Sequence, residues 1–117
     1  IQSLDMPPGT KVLELGVGTG ISFDAYPKHV DVVGVDLSDA MLKIAQDRID
    51  NQQLKHIRVQ QMNATELEFA DHSFDYVMAF HLVSVVPDVA KLMREMHRVC
   101  KIGGRLVVIN HFRSQRW

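Results

Sequence analysis

The chain reads as an α/β domain built on a parallel sheet, and three observations predict it. Apolar runs of strand length, VLEL at 12–15, DVVGVD at 31–36, FDYVMAF at 74–80 and RLVVINHF at 105–112, alternate with helical patterns. The first run ends in Glu14 and flows into glycines at 16, 18 and 20, while the second ends in Asp36. A glycine turn after one strand and an acid at the tip of the next form the floor and ribose clamp of a nucleoside-cofactor site.

Pro7-Pro8-Gly9 is a turn signal, so the first strand is expected over 11–16. A short helix should begin near Thr19 or Gly20 and stop before Pro27. The second strand spans 31–36. Ser38 is the expected N-cap of the next helix, with Asp39 in its first turn favouring the dipole. Met41, Ala45 and Ile49 recur at helical spacing and are expected to face the sheet. Ile57 to Gln60 reads as an edge strand and Phe74 to Phe80 as the fourth strand, with His81 to Val86 as the loop above it. Asp88 caps a helix expected to run through Cys100, on a stripe of Val89, Leu92, Met93, Met96, Val99 and Cys100. The pair Gly103-Gly104 is expected to stop it.

At 117 residues, 46% hydrophobic and 23% charged, the chain has the makeup of one soluble globular domain. Thirteen basic and 14 acidic residues leave no electrostatic footprint for nucleic acid. The single cysteine, Cys100, excludes an internal disulfide and fits a reducing compartment as a core thiol. No apolar run approaches the roughly 20 residues of a spanning helix, and no basic-then-apolar leader opens the chain. His29, His56, His72 and His97 follow no metal-ligand spacing, so no metal is expected.

The glycine spacing is G-x-G-x-G, and Ile21 stands where a dinucleotide fingerprint wants its third small residue. That difference disfavours NAD and an oxidoreductase and favours S-adenosylmethionine. That cofactor has no phosphate but carries a sulfonium, an amino group and a carboxylate. Glu14 can accept bonds from loop backbone and offset positive charge near the methionine part. Asp36 can accept from both ribose hydroxyls, and Leu37 offers an apolar surface to adenine.

With QMNATELEF (60–69), LVSVVPD (82–88), RVCKIGG (98–104) and INHF (109–112), the chain resembles class I S-adenosylmethionine-dependent methyltransferases. Within that superfamily it is most similar to the bacterial phosphatidylethanolamine N-methyltransferases. The resemblance covers nearly all of 11–112. It implies a Rossmann-like doubly wound sheet of strand order 3-2-1-4-5, one cofactor-binding domain over 1–117, and a seven-stranded core truncated at both ends. RLVVINHF would then be an uncovered apolar edge.

Residue by residue, the resemblance implies that Gly16, Val17 and Gly18 line the methionine end, with Gly20 completing the loop. Asp36 would hold the ribose, with Leu37 and Met41 beside the adenosine. Asn63 and Ala64 would meet the adenine edge. Asn63 stands where the family usually has Asp, and its amide oxygen could accept from the adenine amino group. Phe80 and His81 would lie near the methyl donor and the acceptor, His81 as the catalytic proton acceptor. Ser84 could touch the substrate. His111 is assigned no role.

The implied reaction is stepwise N-methylation of phosphatidylethanolamine towards phosphatidylcholine. It implies a cytoplasmic enzyme, peripheral on the inner membrane face, with a phospholipid acceptor and no metal or nucleic acid. Two other readings stay open: a methyltransferase acting on a quinone precursor or free amine, and a non-catalytic nucleoside-binding module.

Overall fold

The structure is a computed structural model and describes residues 6–80 and 86–109. Its sheet has five strands: β1 (Lys11–Leu15), β2 (Asp31–Asp36), β3 (Ile57–Gln61), β4 (Phe74–Phe80) and β5 (Cys100–Ile109). They lie in the order β3-β2-β1-β4-β5, and every pairing is parallel. The expected doubly wound, Rossmann-like order is therefore the observed one.

Both faces of the sheet are covered. Leu13, Leu15, Val33, Val35, Val77 and Ala79 pack with Leu92, Met96 and Val99 of helix α2 (Val89–Val99). Val12, Val32 and Met78 pack on the other face with Leu42, Ala45 and Ile49 of helix α1 (Asp39–Gln52). Alternate residues of one strand thus feed two different cores, which explains why β1 has no polar face. Each such Val or Leu contributes about 1.5–3 kcal/mol on burial.

Both predicted N-caps form. Ser38 Oγ accepts from the Met41 N–H at 3.2 Å, and Asp88 Oδ1 accepts from the Lys91 N–H at 3.0 Å. The sheet-facing stripe of α1 is Leu42, Ala45 and Ile49. Met41 does not face the sheet and is 45% exposed. Of the predicted α2 stripe, Val89 and Met93 are also exposed.

Two further expectations are corrected. The helix expected from Thr19 is only a single 3-10 turn, Phe23–Ala25. Gly16, Gly18 and Gly20 all have positive φ, so a right-handed helix cannot start among them. The helix expected through Cys100 ends at Val99, and Cys100 already opens β5. Gly103 and Gly104 do not stop a helix; they form a bulge inside β5. Phe74 pairs with Cys100 but Tyr76 pairs with Arg105, so the extra residues loop out of register. A Cβ on Gly104 would lie 2.7 Å from the Asp75 carbonyl oxygen.

Among the described residues, no helix is long and apolar enough to cross a membrane.

Candidate functional site: a cleft at the carboxyl ends of the strands

The parallel register brings the strand ends level. Leu15 lies beside Val35 on one side and Ala79 on the other, and Asp36 pairs with Gln61. The next residues, Gly16, Asp36, Met62 and Phe80, therefore emerge along one edge. There they border a cavity of ≈630 Å³, also lined by Leu37, Asn63, Ala64, Thr65, Val86 and Lys91. This size suits a small-molecule ligand, and the position is the crevice where the strand order reverses.

The glycine loop is held against β2 from both sides. The N–H groups of Gly16 and Val17 donate to the Val35 carbonyl at 2.9 and 3.0 Å. Gly18 N–H donates to Asp36 Oδ2 at 2.8 Å, and Ser38 N–H donates to Asp36 Oδ1 at 2.9 Å. Each carboxylate oxygen of Asp36 thus takes one backbone donor and keeps lone pairs for further ones. Arg48 on α1 adds a tie by donating from Nε to the Thr19 carbonyl at 3.0 Å. Sequence reasoning missed Arg48, whose only legible signal is a cation nearly three turns after the Ser38 cap.

The predicted residues divide into two groups. Gly16, Asp36, Leu37, Asn63, Ala64 and Phe80 line the cavity together. Glu14, Val17, Gly18, Gly20 and Met41 do not border it, although Gly18 touches Asp36 through its backbone. Val17 is turned inward: a Cβ placed on Gly34 would sit 2.7 Å from its Cγ2. Gly20 covers the Phe23 ring, which a Cβ there would strike.

Glu14 departs from expectation most clearly. It is 2% exposed, and its partners are side-chain hydroxyls, not loop backbone. Tyr26 donates to Oε1 at 2.6 Å, and Ser22 lies 2.8 and 2.9 Å from the two oxygens. Burial pushes the Glu14 carboxyl above its usual value, and the two hydroxyls offset part of that rise. Burial and the neighbouring carboxylate push the Tyr26 phenol far up. Glu14 anchors the segment that follows the glycine loop, through Ser22 and Tyr26.

Asn63 also differs. Its Oδ1 accepts from Thr65 N–H at 2.9 Å and from Thr65 Oγ1 at 2.7 Å. The amide oxygen is thus engaged inside an Asx turn. Beside it, Lys91 Nζ lies 3.6 Å from Glu66 Oε2 at the rim. His81, Ser84 and His111 lie outside the described residues. Among the described residues, no group of His, Cys, Asp and Glu is arranged to hold a metal.

A family model for a methyltransferase domain matches residues 13–108. The chain belongs to this methyltransferase domain family. Over 105 residues, 89% of this chain and 52% of the relative, it is 46% identical to a phosphatidylethanolamine N-methyltransferase of Cereibacter sphaeroides. Over 110 residues, 91% of this chain and 46% of the relative, it is 34% identical to a demethylmenaquinone methyltransferase of Bacillus cereus. Among solved structures it is similar to a Haemonchus contortus phosphoethanolamine N-methyltransferase in complex with S-adenosyl-L-methionine. That likeness has a TM-score of 0.80 and 30% identity, over 89% of this chain and 25% of that one. The chain spans about half the length of the curated relatives it matches.

Proposed function

We propose that this chain is the cofactor-binding part of an S-adenosylmethionine-dependent methyltransferase whose acceptor is the ethanolamine amine of phosphatidylethanolamine. One observation carries the reading. Asp36 stands at the cleft with both oxygens oriented by backbone donors and with lone pairs to spare, next to a glycine loop with no side chain in the way. That arrangement fits a ribose with two hydroxyls and a tail laid along bare backbone. The 46% identity to a phosphatidylethanolamine N-methyltransferase supports the choice of acceptor.

S-adenosylmethionine, when bound, supplies a methyl group already activated on a sulfonium. The chain therefore contributes orientation, close approach and exclusion of water. Asp36 accepts from the ribose hydroxyls, Leu37 and Ala64 border the base, and Gly16 leaves room for the tail. An ethanolamine amine is protonated at neutral pH and must lose a proton before it has a lone pair to offer. We assign that proton to His81, directly or through water. The aromatic face of Phe80 favours the cationic product. A cytoplasmic location, peripheral on the inner membrane face, belongs to the same proposal.

The test incubates the protein with methyl-labelled cofactor and phosphatidylethanolamine vesicles, beside a soluble amine and a demethylated quinone. Label in the lipid is expected. Label only in the quinone would favour the acceptor named for the Bacillus relative, and label only in the amine would likewise remove the phospholipid. In Asp36→Ala, affinity for S-adenosylhomocysteine should fall by about 2 kcal/mol, a factor of about thirty. Unchanged affinity would remove Asp36 from the site.

A further inference from the structure

A nucleoside held by its ribose at Asp36 places its base against the neighbouring strand end, because β3 pairs with β2 at Asp36 and Gln61. The wall there is Met62, Asn63, Ala64 and Thr65, in the same cavity as Leu37. The side chains of Met62 and Ala64 are apolar, so side-chain recognition of the base along this wall rests on Asn63 and Thr65. Their hydrogen bonds fix which atoms remain available. The Thr65 backbone N–H can only donate, so the Asn63 atom 2.9 Å away is the carbonyl oxygen and not the amide nitrogen. The Thr65 hydroxyl, at 2.7 Å from the same oxygen, must donate as well. Two donors occupy the oxygen, and Asn63 Nδ2 has no hydrogen-bond partner among the described residues.

We infer that Asn63 recognises the purine as a hydrogen-bond donor through Nδ2, and does not accept from the 6-amino group. The inference rests on the proposed nucleoside site and adds a specificity rule to it. Adenine presents N1 as an acceptor on its pairing edge, and a 6-oxo purine presents O6 beside the same place. An amide N–H satisfies either. A carboxylate at this position would accept from the 6-amino group but would meet the 6-oxygen with like partial charge. Asn63 therefore makes the base pocket tolerant of a 6-oxo purine.

The experiment measures calorimetric affinities of S-adenosylhomocysteine and S-inosylhomocysteine for wild type, Asn63→Asp and Asn63→Ala. In wild type the two ligands should bind within about threefold of one another. Asn63→Asp should shift the ratio at least tenfold towards the adenosyl ligand, while Asn63→Ala weakens both together and leaves the ratio unchanged. A ratio is insensitive to general loosening of the turn, and the wild-type ratio needs no variant to fold. A wild type that prefers the adenosyl ligand tenfold, with no further shift in Asn63→Asp, would overturn the inference while leaving the nucleoside site standing. Binding of neither ligand would overturn both.

Discussion

Glu14 shows how much one residue's environment decides. A carboxylate at a strand end next to glycines invites a ligand role, yet Ser22 and Tyr26 fold back over it. Those partners lie 8 and 12 residues away, and only the closed loop brings them within reach. Because burial raises its folded pKa, the group favours the folded state below its unfolded value. That contribution is lost as pH rises through the raised value. Glu14→Gln should therefore unfold in urea with a flatter dependence of stability on pH, on the alkaline side of an ordinary carboxyl's titration, than wild type. Parallel pH dependences would remove Glu14 as its source. By contrast, the place of Asp36 at the cleft was legible, since a strand's last residue in a parallel sheet lies at the rim. The occupied oxygen of Asn63 was not legible, because a side-chain bond to a residue two positions on competes unseen with any ligand role.

At the scale of elements, strands and caps were read more accurately than the segments between them. Continuous apolar runs and Ser and Asp caps act through near neighbours, and β2 and β4 lie where their patterns predict. The glycine-rich stretches misled for one reason: glycine marks a departure from regular backbone without saying which. At 16–20 it marks a loop that prevents a helix, and at 103–104 a bulge inside a strand. The packing of the loop onto β2 depends on Gly34, whose missing side chain makes room for Val17. Val17 is buried and branched and cannot swing away cheaply, so Gly34→Ala should cost about 1–3 kcal/mol in urea unfolding. Val17→Ala in the same chain should recover part of the loss, and a purely additive double variant would show that the contact is not the cause.

Across the whole molecule, stability should fall from the centre of the sheet to its margins. β1 is paired on both sides and covered on both faces, with Val12, Leu13 and Leu15 fully buried. β3 and β5 are the margins of this sheet, and β5 leaves Ile102 91% and Val108 38% exposed. Amide hydrogen exchange should therefore be slowest in β1 and the facing parts of β2 and β4, and markedly faster in β3 and β5. Slower exchange in β5 than in β1 would mean that another surface covers that edge. The same arrangement forms the cleft: the reversal of strand order between β1 and β4 separates the two helix layers and leaves a gap above Gly16 and Asp36.

The amino-acid sequence by itself determined the parallel α/β class, the strand order through its resemblance, the helix caps, and the placing of Gly16, Asp36, Leu37, Asn63, Ala64 and Phe80 along one rim. These follow from periodicity and strand ends, which act over a few residues. Only the tertiary structure decided that Glu14 is locked by hydroxyls, that Val17 turns inward over Gly34, that Arg48 ties the loop, and that the oxygen of Asn63 is engaged. Such choices depend on which polar groups meet once the chain has closed, and spacing along the chain carries no record of them.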